Sequence, residues 1–146
     1  MIKLTVSAII ISMLTMFSST VWSVRPDSFF ASTVFTVAGI MFSIGLGLIV
    51  TFNPSGVKNT NYLRAIRSNV AKVRNSFLLH FGLSTLCYII NQYVAGHEFS
   101  FFLLQKVTIL FSISIFLCLV MIYCAIYFII NFIELQRLNN DIFDEV

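Results

Sequence analysis

The sequence predicts an all-α polytopic integral membrane protein, with four transmembrane helices and a basic amphipathic cytoplasmic helix between helices 2 and 3. Three observations predict it. The 146-residue chain is 58% hydrophobic and 10% charged, whereas soluble domains carry about 25% charged residues. Four apolar runs, 4–24, 29–52, 76–95 and 107–133, contain no Lys, Arg, Asp or Glu, and each reaches the length of about 20 residues that crosses a bilayer. Five of the nine Lys/Arg fall in one segment, 53–75, which has no acidic residue. With a mean hydropathy of +0.93, the composition excludes an ordinary soluble enzyme, a nucleic-acid-binding domain and a disordered tail.

The first run, 4–24, follows Met1-Ile2-Lys3 and so resembles a signal peptide, with Val21-Trp22-Ser23 as a weak cleavage site. It is longer than the usual apolar region of about 7–15 residues, and it is read as a retained membrane helix. Arg25-Pro26-Asp27-Ser28 breaks the chain: Pro26 cannot sit inside a helix, and Asp27 or Ser28 can cap the next one. After the second run, 29–52, Asn53-Pro54-Ser55-Gly56 is a turn signal. Within 57–77, Tyr62, Leu63, Ile66, Val70, Val73 and Phe77 recur at helical steps, while Arg64, Arg67, Lys72 and Arg74 fall off that face. This basic helix is expected to run straight into the third run, 76–95. Gly96-His97-Glu98 closes that run. The fourth, 107–133, spans about 40 Å against a hydrocarbon core of about 30 Å, so tilt or projection must absorb the excess. The tail 134–146 carries Glu134, Arg137, Asp141, Asp144 and Glu145. The whole chain, 1–146, reads as a single membrane domain.

Lys and Arg set orientation. The segment holding Lys58, Arg64, Arg67, Lys72 and Arg74 belongs in the cytoplasm, which puts both termini inside. Trp22, Phe29, Phe30, Tyr93, Phe99, Phe101 and Phe102 then form an outer interfacial belt. The same five cations are the candidate binding residues, for membrane lipid or for an acidic cytosolic protein; nucleic acid is disfavoured.

Helices in lipid associate through close packing and hydrogen bonds. Gly39, Ser43 and Gly47, spaced by four, form a small-residue stripe for packing within one subunit or between subunits of a homo-oligomer, and Gly45 adds flexibility nearby. His80 and Glu134 are expected at the same inner depth as a polar pair, and Asn91 and Gln92 as cross-helix partners near the outer face. Hydroxyls such as Thr15, Ser19, Ser112 and Ser114 bond their own backbone or neighbouring helices, or line a pore, which they do not require. Cys87, Cys118 and Cys124, odd in number and without a C-x-x-C pair, read as packing residues.

No span carries a carboxylate at its centre, which disfavours a proton-coupled transporter. No metal cluster, nucleophile–base pair or phosphate loop is present, so no enzyme and no cofactor are expected. Two functions remain: a non-enzymatic oligomeric subunit that anchors or regulates a cytosolic partner, and a pore-forming or membrane-disrupting effector. The plan of four spans, inside termini and a basic inner segment around Tyr62 and Arg74 resembles small membrane components of bacterial antiphage defence systems, such as the Kiwa membrane protein. The resemblance covers the chain as topology and carries over no functional residue. It implies an inner-membrane homo-oligomer with a cytosolic partner, acting as a membrane sensor or damaging the membrane during infection.

Overall fold

A computed structural model describes residues 2–21, 26–52, 54, 59–94, 98–103 and 107–144. Four helices and one hairpin follow in the order α1 (Ile2–Val21), α2 (Ser28–Thr51), α3 (Thr60–Val94), β1 (Glu98–Leu103), β2 (Val107–Ser112) and α4 (Ile113–Asp144). Three helices are long and apolar enough to cross a membrane; α1 holds a shorter apolar stretch, Val6–Thr20.

The helix starts follow the polar joints. The Asp27 carboxylate accepts from the Phe30 amide at 2.7 Å and caps α2. Asn59 does the same for α3, its side-chain oxygen accepting from the Asn61 and Tyr62 amides at 3.0 and 3.3 Å. These side chains satisfy amide donors that the first helical turn leaves without partners.

The basic segment and the third apolar run form one continuous helix of 35 residues, about 52 Å long. α4 has 32 residues and spans about 48 Å. Each exceeds a hydrocarbon core of about 30 Å by roughly 20 Å. α4 is the common wall of the bundle: α1, α2 and α3 all pack on it. Ile66 of the basic segment is buried, with Val70 and Val73 packed against the cluster that contains Phe77, Phe128 and Leu135. The chain's own helices therefore bury Ile66 and Phe77 and partly cover Leu63, Val70 and Val73, while Tyr62 stays 51% exposed.

Two expectations change. The fourth helix starts at Ile113, not at residue 107, because 107–112 is a strand. β1 and β2 pair antiparallel, from Glu98↔Ser112 to Leu103↔Val107. Val107, Thr108, Ile109 and Phe111 are strand-favouring types. Removing these six residues resolves the excess length: 113–133 rises about 30 Å, the thickness of the hydrocarbon core.

The small-residue stripe is the second change. Ser43 and Gly47 are exposed and Gly39 is half-buried. A Cβ on Gly47 would meet nothing within 4 Å, and one on Gly39 would only touch Phe81 at 3.9 Å. The small residues that α2 buries are Ala31, Ala38 and Gly45, spaced by seven. A seven-residue step keeps the same helix face toward its neighbours, whereas a four-residue step drifts by about 40° each time. Gly45 is a contact residue: a Cβ there would overlap the edge of the Phe77 ring, with Cζ at 3.1 Å and Cδ2 at 3.2 Å.

Aromatic rings tie the helices together. Phe35 stacks on Tyr88 (centroids 4.5 Å apart) and Phe42 on Phe81 (4.2 Å), joining α2 to α3. Phe128 of α4 meets Phe42 at 5.8 Å and Phe77 at 5.2 Å. Toward the hairpin, Ala31, Cys87, Leu117, Cys118 and Met121 form a second core cluster.

Candidate functional site

At the end of the bundle where α3 carries its cations, the last turn of α2 faces the basic part of α3. Ile49, Phe52 and Pro54 form one wall of a groove of 410 Å³, and Arg67, Val70, Ala71 and Arg74 form the other. Arg67 and Arg74 are seven residues apart, which places them on one helix face about 10 Å apart along the axis. Both are exposed. Arg74 donates through Nε and Nη2 to the Asn75 side-chain oxygen at 3.4 and 3.3 Å. Among the described residues no carboxylate lines the groove. Arg64 and Lys72 are also exposed but do not line it. Lys58 lies outside the described residues.

His80 and Glu134 do not pair. His80 is buried at 7% exposure and lies flat on Tyr127, with ring centroids 3.8 Å apart and planes 5° from parallel. Its Nδ1 is 2.8 Å from the Ser76 carbonyl oxygen. A carbonyl can only accept, so Nδ1 carries a hydrogen and donates it. The Ser76 and Tyr127 hydroxyls bond each other at 2.5 Å, and the Asn131 side-chain amide donates to the Tyr127 carbonyl oxygen at 2.8 Å. Depth separates the expected pair. His80 is level with Tyr127, and Glu134 is two turns further along α4, about 10 Å away. The exposed Glu134 instead lines a groove of 540 Å³ with Val6, Ser7, Tyr123, Tyr127, Ile130 and Asn131.

Toward the hairpin the polar side chains do meet across elements. The Ser114 hydroxyl donates to the Asn91 side-chain oxygen at 2.7 Å, both residues being buried. The Ser112 amide donates to the Ser19 hydroxyl at 3.3 Å, fastening β2 to α1. Gln92 is exposed. Several other hydroxyls bond their own helix four residues back, among them Ser12 to Ala8, Thr15 to Ile11, Ser43 to Gly39 and Thr85 to Phe81. Such bonds need no water-filled path.

Sequence reasoning missed the Ser76–Tyr127 pair and the inward placement of Ser84, whose buried hydroxyl has no partner. The signal was present in α3: His80, Ser84, Cys87 and Asn91 recur at steps of four, three and four and are all buried. The three cysteines are buried and free. Among the described residues no group of three or more His, Cys, Asp or Glu is placed to hold a metal.

Comparison with protein-family models, curated proteins and solved structures finds no match.

Proposed function

We propose that the chain is a non-enzymatic, homo-oligomeric membrane subunit that anchors or regulates a cytosolic protein through the basic extension of α3. One observation carries this reading: α3 continues without a break from an apolar segment into a cationic one whose apolar face, from Ile66 to Phe77, packs on the chain's own helices. Ile66 is buried at 4% exposure while Arg64, Arg67, Lys72 and Arg74 stay exposed. An amphipathic helix that lay on the leaflet would instead turn that apolar face toward the acyl chains.

All four helices cross the inner membrane in this reading, with both termini and the basic extension in the cytoplasm. The outward apolar surface supports insertion: Met13 is 66% exposed, Val50 78% and Leu79 62%. The stripe of Gly39, Ser43 and Gly47, left open on α2, faces a second copy. A role as a membrane sensor in antiphage defence rests on the shared plan of four spans and a basic inner segment.

The alternative is a pore-forming effector. It is less well supported, because hydroxyls that would line a path are already bonded within the chain, Thr15 to its own backbone, Ser19 to the Ser112 amide and Ser114 to Asn91.

Dye leak and phage plaque counts separate the two in cells making this chain alone or together with a co-expressed soluble partner. The anchor predicts no leak from the chain alone. It also predicts protection only with the partner, lost in the double variant Arg64→Glu, Lys72→Glu. Leak from the chain alone would favour the pore.

A further inference from the structure

We propose that the groove between the end of α2 and the basic part of α3 binds the phosphate of an anionic phospholipid, with Arg67 and Arg74 as its ligands. The proposal rests on the membrane placement given above.

Three features point to that ligand. The first is chemistry. The groove presents two guanidinium groups beside apolar walls made by Ile49, Phe52 and Val70. A planar guanidinium matches the oxygens of a phosphate with two parallel hydrogen bonds. A molecule with a phosphate and an attached acyl chain satisfies both the cations and the walls.

The second is charge. Neither arginine meets a carboxylate among the described residues, and Arg74 has only the neutral Asn75 oxygen. Glu134 lies on the other flank of α3, where it lines a separate groove with Asn69, Val70 and Val73. The chain's own acid on that flank therefore leaves the arginine groove unneutralised.

The third is depth. Phe77 packs against Gly45 inside the apolar core. Arg74 is three residues from Phe77, about 4.5 Å along the axis, and Arg67 is about 15 Å away. Both arginines thus lie beyond the apolar run 76–95, Arg74 about 3 Å and Arg67 about 14 Å from its first residue, on the headgroup side of the hydrocarbon boundary. Ala71, between them on the same wall, keeps the groove open.

The test uses the purified full-length chain in detergent. It is titrated with short-chain phosphatidylglycerol, short-chain phosphatidylcholine and inorganic phosphate, with thermal shift and native mass spectrometry as readouts. Saturable binding of phosphatidylglycerol is expected, tighter than either of the others. Arg67→Gln and Arg74→Gln should each weaken it about tenfold, the scale of a charged hydrogen bond. Arg137→Gln removes the same charge from α4 and should change it less than about twofold. Ala71→Trp keeps both guanidinium groups, fills the groove and should also weaken binding.

Equal losses in Arg137→Gln and the two groove variants would overturn the site in favour of diffuse surface charge. Normal binding by Ala71→Trp would place the lipid elsewhere. Inorganic phosphate binding as tightly as the lipid would make it a free-anion site. Carbonate extraction of expressing membranes distinguishes the two levels of failure. Release of the chain would overturn the membrane placement and the lipid site together. Retention without arginine-dependent lipid selectivity would overturn the site alone.

Discussion

Gly45 and Gly47 are two residues apart on one helix and have opposite environments. A methyl group on Gly45 meets the Phe77 ring, with Cζ at 3.1 Å, whereas one on Gly47 meets nothing within 4 Å. Phe77 is fully buried and held by Phe128 and Tyr127, so it has little room to retreat. Gly45→Ala should therefore cost about 1–3 kcal/mol, the usual penalty of overpacking. Gly47→Ala should leave the isolated subunit unchanged or slightly more stable, because alanine is the better helix former. Thermal unfolding of the two variants in detergent checks the contrast. Sequence spacing alone favours the four-residue stripe of Gly39, Ser43 and Gly47, and the packed face uses Ala31, Ala38 and Gly45 instead. The difference depends on how α2 crosses its neighbours, and a single sequence does not encode that angle in any one residue. The same limit applies to His80. Its type and level marked it as a polar anchor, but its partner Tyr127 looked like one more aromatic in an apolar run.

The elements were legible where a period ran long and ended in a polar joint. α2 lies within one residue of its expected bounds, and α3 joins the basic segment to the apolar run as the spacing of Ile66, Val70, Val73 and Phe77 implies. The hairpin was not legible. A six-residue apolar run such as Val107–Ser112 suits a buried helix turn and a strand equally well, and here it adjoined a helix of the same composition. What decides for the strand is a partner: β1 supplies a second run of equal length to pair with. The pairing is testable. Ser100 and Leu110 are register partners, so their α-carbons are about 4.5–5.5 Å apart, within disulfide range. The double variant Ser100→Cys, Leu110→Cys should oxidise to a loop closed between the two positions, seen as faster gel migration that a reductant reverses. A helix starting at residue 107 would leave the two thiols apart and the mobility unchanged. The arginine groove lies between these cases. Both of its cations were expected to bind, but their separation from Arg64 and Lys72 depends on where the end of α2 lies.

At the scale of the molecule, the bundle is not evenly connected. α2 and α3 pack on each other and on α4, while α1 is held mainly by β2 and α4. Its ties include the bond from the Ser112 amide to Ser19. Many large side chains of α1 face outward, including Ile9, Ile10, Met13 and Phe17. This arrangement sets an order of events during synthesis. α1 leaves the ribosome before the elements that hold it, and more than eighty residues separate Val21 from Ile113. Until β2 and α4 follow, α1 lacks the two elements that hold it most among the described residues. A chain stopped after Leu103 should then lose α1 from the bundle and be degraded within the membrane, while the full chain persists; a pulse-chase comparison of the two half-lives would read this. The element made last thus packs on the one made first, and that contact can form only once the chain is nearly complete.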